Sequence, residues 1–241
     1  MLAQDYVDRA RYLPALEGLH RAISLFSALQ DTVWLIKAKS MVATVYHEMR
    51  DYEQGVAAGK QTLALAKNYA MRSQQQQAWV DYMDVLTFTA INYDDGGKPD
   101  SAIACYQQAQ AIAHLLPDTT YLAQTYSNMG NSLLKLGRLE KAEHYIRRAL
   151  AMYELRGTTY GIVGANTNLG RLALPQQDPA GAQQHLFLAL SLANRLNNVE
   201  KLRDVYLHLS EYYQTLANTD SAVFWLKRHH ALKTRCSPYR P

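Results

Sequence analysis

YSNMGNSLLKLGRLEKAEHYIRRALAMY, residues Tyr126 to Tyr153, reads as two helices joined at Gly137. The first carries a large-plus-small pair, Met129-Gly130. The second carries Ala142 and Ala149, seven residues apart, which is two helical turns and therefore one face. Small residues on both helices let the axes approach closely, and a large neighbour fills the adjoining gap. One such pair cannot bury its apolar face alone, so the unit has to be stacked.

The same register runs outward in both directions. Forward from Ala142 it reaches Ala182 and then Ala222, and backward it reaches Ala102, always by the same step. A slightly longer step back gives Gly55, and the regular step from there gives Ala15. Seven residues after these lie Ala22, Thr62, Ala109, Ala149, Ala189 and His229. Twelve before them lie Ala3, Ala43, Ala90, Gly130, Gly170 and Ser210, each preceded by a larger residue such as Leu2, Val42 or Leu209. Repeats at a fixed period of this size specify a solenoid. The expected fold is all-α: a right-handed α-solenoid of about six helix-turn-helix repeats and about twelve helices, the first of them short. The repeats fall near 1–30, 31–71, 72–116, 118–156, 158–196 and 198–235, as a single domain 1–235 with a tail at 236–241. Turn chemistry agrees. Glu53, Asp100, Glu140 and Asp220 sit in first turns of second helices, where the dipole favours acids. Asp178-Pro179 reads as a cap followed by proline at the first helical position, and Asp31, Asp118 and Asn198 are candidate caps.

With 48% apolar and 19% charged residues the chain is globular. Its 17 Tyr against 4 Phe suit half-buried helix faces, because a tyrosine packs its ring and still presents a hydroxyl. Lys227, Arg228, Lys233, Arg235 and Arg240 follow Leu226 without an acid, and setting them aside turns the formal +4 into −1. A phosphate-neutralising face is therefore not indicated, which argues against nucleic acid. Cys105 and Cys236 form no framework. No apolar stretch reaches the roughly 18 residues of a membrane span, and the first residues lack a signal-peptide core, so a cytoplasmic, membrane-free chain is expected.

The 126–153 segment resembles the tetratricopeptide repeat consensus, and the resemblance extends over the whole chain. The period is 40 instead of the usual 34, so each helix is longer by about one turn. Long repeats of this sort resemble those of kinesin light chain, bacterial peptide-pheromone regulators and the input domains of bacterial sensor kinases; the Tyr-rich style and the stretch DSAVFWLKRHHALK are most similar to the last. The resemblance implies a non-catalytic protein- or peptide-binding domain, the sensory or regulatory part of a bacterial signalling protein, with no cofactor. The alternative is a self-assembling scaffold, a homo-oligomer formed through terminal repeats, with apolar residues near Leu2, Tyr6, Leu13 and Leu19 uncovered. His229, large and polar where other repeats are small, implies that no further repeat follows.

Motifs for chemistry are lacking. The stretch from Gly55 to Thr62 has three residues between its glycines and a Gln after Lys60, unlike a phosphate loop, and it falls within an expected helix. No histidine has metal-ligand spacing with another ligand residue, and His144 and His185 are expected on the outer surface. An enzyme would need clustered titratable residues with perturbed pKa in the groove.

The resemblance places ligand-facing positions on first helices: Gln124, Asn128 and Asn131 in the fourth repeat, Gly164, Asn168 and Arg171 in the fifth, and Asp204, His208 and Glu211 in the sixth. Phe88, Ile91 and Asp84 take those places in the third, and Met41, Thr44 and Lys37 in the second. Asparagine offers both a donor and an acceptor, so it can pair with an extended peptide backbone of any sequence. The family's chaperone-tail clamp also has Asn at the positions of Asn131 and Asn168. It has basic residues where this chain has Ser127, Asp204 and His208, which argues against acidic-tail binding of that type. The candidate site is thus Gln124, Asn128, Asn131, Asn168, Arg171 and His208, with no catalytic and no metal residue.

Overall fold

The computed structural model describes the backbone of residues 2–235 and the side chains of 12–232. Eleven α-helices and no strand occur among the described residues: α1 Leu2–Ala28, α2 Thr32–Glu48, α3 Tyr52–Ser73, α4 Gln76–Asp95, α5 Pro99–Ala113, α6 Thr120–Lys135, α7 Leu139–Arg156, α8 Thr159–Ala173, α9 Pro179–Arg195, α10 Val199–Thr215 and α11 Thr219–Arg235. They form two compact units, residues 1–118 and 119–241. In the first, α2 packs on α1, α3 and α4, and α4 packs on α3 and α5. In the second, each of α7 to α11 packs on the helix before it, and the alternate helices α6, α8 and α10 also touch in turn.

Among the described residues the helices number eleven, against the expected twelve or so, because the first expected pair is one continuous helix. No glycine, asparagine or αL residue interrupts Arg9 to Leu13, and Pro14 sits inside α1. Proline removes one backbone hydrogen bond without stopping the chain here. α1 packs on α2. Its register slips: Ala15 is exposed and Ala22 half-buried, while Leu16 takes the buried place. The side chains of Leu2, Ala3 and Tyr6, together with Cys236 and the 236–241 tail, lie outside the described residues. Leu13 is exposed and Leu19 half-buried.

Elsewhere the small positions are core. Ala102, Ala109, Ala142, Ala149, Ala182 and Ala189 have no exposed surface. A Cβ on Gly130 would lie 2.5 Å from Ile146 Cγ1 and 3.3 Å from the Ala142 carbonyl. On Gly170 it would lie 2.6 Å from Leu186 Cγ and 3.3 Å from the Ala182 carbonyl. The same close approach thus recurs one repeat further on.

The helix starts are capped as their sequences dictate. Asp31, Asp178 and Asn198 accept from the amides of Trp34, Gly181 and Lys201 at 3.2, 2.9 and 2.9 Å. At α6 the N-cap position falls on Thr119, one residue after Asp118, and the Thr119 side chain makes no cap bond. The inner turns need a left-handed residue, supplied by Gly97 and Gly137 but also by Arg50, Gln177 and Ala217 (φ 54°). A residue with a Cβ is strained there by roughly 1–2 kcal/mol. Ala217→Gly therefore should raise unfolding free energy by ~0.5–1 kcal/mol, readable in a urea melt, and an unchanged or lowered midpoint would contradict the strain.

Candidate functional site

The first helices of the second unit, α6, α8 and α10, present a row of polar side chains. Asn131, Arg171 and Glu211 stand one residue after the close-packed Gly130, Gly170 and Ser210, so the repeat itself aligns them. Asn128, Asn168 and His208 stand two residues before the same three. These six are all half-buried.

Arg171 ties the row together. Its Nη1 donates to Asn131 Oδ1 at 2.6 Å and to Asn168 Oδ1 at 3.1 Å, so one guanidinium bridges α6 and α8. On α10, His208 Nδ1–H donates to Glu211 Oε2 at 2.7 Å. That bond, with the charge of Arg171 adding, holds the Glu211 carboxyl below its ordinary range. Burial pushes the Asp204 carboxyl up, partly offset by Lys201 and Arg203. Gln124 is exposed one turn before Asn128, and among the described residues neither makes a side-chain hydrogen bond to the Arg171 set.

The arginine expected to await a ligand is thus already engaged. Each asparagine oxygen already accepts one bond from the guanidinium, so Asn131 and Asn168 keep both amide N–H donors and one remaining lone pair apiece. The row offers N–H donors from α6 and α8 and carboxylate acceptors from α10.

Two parts of the surroundings escaped the sequence reading. Lys201 Nζ sits 4.1 Å from the Tyr160 ring centre, and Tyr160 Oη approaches Glu200 Oε2 at 3.5 Å. Tyr160 and Glu200 are one full period apart, so the repeat could have paired them. His185 is not on the outer surface but half-buried between α8 and α9. Asn166 donates its amide to the Ile162 carbonyl at 3.0 Å, which leaves its Oδ1 to accept from His185 Nδ1–H at 2.9 Å. Burial, with Arg147 adding, lowers the His185 pKa. His144 is exposed, and His229 is half-buried with Nδ1 2.9 Å from the Arg203 carbonyl.

The glycines of the phosphate-loop-like stretch serve packing. Gly55 and Gly59 lie within α3, and their missing Cβ atoms leave room for the side chains of Asn92 and Thr89 on α4. Among the described residues no group of three or more His, Cys, Asp or Glu is placed to hold a metal ion, and no helix is long and apolar enough to cross a membrane.

A tetratricopeptide repeat family model matches residues 90–154. A sequence comparison with curated proteins finds no match. Among solved structures the chain is similar to BtubC (BKLC) from P. vanneervenii, with a TM-score of 0.70, 19% identity, and 93% of this chain and 92% of that one covered. It is similar to apo RapI, with a TM-score of 0.69, 13% identity and 96% of each chain covered. Aspartyl phosphate phosphatase F from Bacillus subtilis aligns with a TM-score of 0.71 and 14% identity, over 99% of this chain and 71% of that one. The helix-turn-helix pairs, the small residues at a constant period and the matched segment agree: this is a tetratricopeptide-repeat protein in fold, with the family's own sequence pattern at residues 90–154.

Proposed function

We propose that the chain is a non-catalytic docking domain that holds an extended peptide or a protein segment along α6, α8 and α10. Tetratricopeptide repeats are protein-binding modules, and the observation that carries the specific reading is the Arg171 bridge. It fixes two asparagine amides on an accessible helix row that the core does not use. A ligand's backbone carbonyls would accept from Asn131 and Asn168, while Glu211 and Asp204 would accept its amides. Preorganised groups cost less ordering on binding, which is what a docking row needs. The fold likeness to RapI and to phosphatase F supports placing the domain in the sensory or regulatory part of a bacterial signalling protein, an analogy of fold. The partner is then a protein or peptide in the cytoplasm, with neither nucleic acid nor membrane involved. The apolar Leu13, Leu25 and Leu29 exposed on and just after α1 support self-association as the second reading.

The immobilised chain and an Asn131→Ala, Asn168→Ala, Arg171→Gln variant should be compared for the proteins they retain. Each lost pairing is worth ~1–3 kcal/mol, so affinity for a retained partner should fall at least tenfold, with the melting temperature moving far less than for a core substitution. A variant that keeps the same partner at the same affinity would remove the proposal.

A further inference from the structure

The second helices of the second unit share a face that the docking row does not use. Arg148 on α7, Leu188 on α9 and Arg228 on α11 stand in one register slot, each one repeat after the last. Leu155 and Arg195 share the slot two turns further on, and Phe224 lies one turn before Arg228. All six are exposed, Leu155 by 89%, Phe224 by 47% and Leu188 by 46%. The repeat therefore lays guanidinium groups and large apolar side chains together on one side of three successive second helices. α9 and α11 meet at Phe187 and Trp225, whose ring centres are 6.4 Å apart. Gln176, in the turn before α9, donates to Glu143 of α7 at 3.2 Å.

Charge is sorted onto this face. α9 has no Asp or Glu, and α11 has only Asp220, in its first turn. On α7, Glu143 is committed to Arg147 at 2.8 Å and to Gln176, while Glu140 and Glu154 sit in the first and last turns. Arg148, Arg195 and Arg228 form no ion pair with a carboxylate among the described residues. Two of them rest on aromatic rings, Arg148 at 4.5 Å from the Tyr126 ring centre and Arg228 at 4.7 Å from that of Phe224. A guanidinium stacked on a ring is held in place and keeps its edge N–H donors for another group.

We infer that α7, α9 and α11 dock an acidic protein segment in which Asp or Glu alternates with apolar residues. Its carboxylates pair with Arg148, Arg195 and Arg228, and its apolar groups cover Leu188 and Phe224. Charge complementarity selects this occupant, because each arginine offers a carboxylate a charge-assisted, two-pronged hydrogen bond. Arginines on successive second helices stand at least a helix diameter apart, about 10 Å, against a screening length of about 8 Å in physiological salt. Charges so spaced reinforce one another little at a distance, which disfavours a diffuse anionic surface such as a lipid headgroup layer. A nucleic-acid backbone would leave Leu188 and Phe224 without an apolar partner. This site is separate from the row on α6, α8 and α10, and either stands without the other.

The test is fluorescence anisotropy on the intact chain with three blocked, labelled peptides of equal length. The first alternates Glu with Leu and Phe, the second has Ser in place of Leu and Phe, and the third has Lys in place of Glu. The first should bind at least about tenfold more tightly than either of the others. Arg195→Gln combined with Arg228→Gln should weaken it at least about tenfold, and Leu188→Ser combined with Phe224→Ser by a comparable factor. All four side chains are exposed, so both variants should melt with the parent, and lost binding is then not lost folding. The Asn131→Ala, Asn168→Ala, Arg171→Gln variant should bind all three peptides as the parent does. In sedimentation with phosphatidylserine–phosphatidylcholine vesicles the chain should stay in the supernatant. Binding of none of the peptides, equal binding of the first and second, an arginine double variant that binds as the parent does, or pelleting with the vesicles would overturn the inference.

Discussion

Leu186→Ala is expected to remove about 2–5 kcal/mol of unfolding free energy, and adding Gly170→Ala is expected to return part of it. Leu186 has no exposed surface and lies in the core that Ala182, Ala189, Val205 and Leu209 share. Truncating it opens a cavity that the surrounding helices close only partly. The position opposite is Gly170, whose absent Cβ would stand 2.6 Å from Leu186 Cγ and 2.8 Å from its Cδ2. In the parent background Gly170→Ala therefore overpacks, at a cost of ~1–3 kcal/mol against a gain of ~1 kcal/mol in helix propensity. In the Leu186→Ala background the colliding atoms are gone and the new methyl fills space. The double variant should be at least ~1 kcal/mol more stable than the sum of the singles, measured by urea unfolding. Strict additivity would mean that α8 and α9 do not meet at these residues. The equivalent pair, Gly130 and Ile146, should show the same coupling, because the period repeats the contact.

Tyr126→Ala is expected to cost about 3–5 kcal/mol, the range for a large buried aromatic. Its ring has 0% exposure, stands 5.5 Å from the Tyr145 ring, and carries the Arg148 guanidinium 4.5 Å from its centre. Removing it empties the α6–α7 contact and strips Arg148 of its aromatic platform. Tyr126→Phe keeps the ring and should lose only ~1 kcal/mol, the net worth of one hydroxyl. An alanine variant that unfolds at the parent's urea midpoint would contradict this packing. Substituting Asn131, half-buried on the proposed docking row, should by contrast leave the midpoint close to the parent's.

The repeat was legible in the sequence because close packing of two helices demands small residues at fixed spacing. Gly130 and Gly170 announce their contacts with Ile146 and Leu186 from across the inner turn, at the same separation in both repeats. The caps at Asp31, Asp178 and Asn198 were legible for a similar reason, since a side-chain oxygen reaches an amide only three residues on. Position on the helix face was legible as well: Asn131, Arg171 and Glu211 share a register slot, so their alignment follows from the period.

The tertiary structure alone decided what those side chains do with one another. The period aligns Arg171 with Asn131, but whether the guanidinium waits for a ligand or commits its donors to two asparagines depends on rotamers and on the distance between α6 and α8. His185 reads as outer surface in the sequence, and only the fold brings Asn166 of the preceding helix close enough to accept a hydrogen bond from its Nδ1–H. Even the register failed at Ala15, where α1 runs on through Pro14 as one continuous helix and Leu16 takes the buried place. Local periodicity is written along the chain by the helical turn. Pairing from one repeat to the next is set by how closely two helices approach and which rotamers that gap admits, and no single position carries that information.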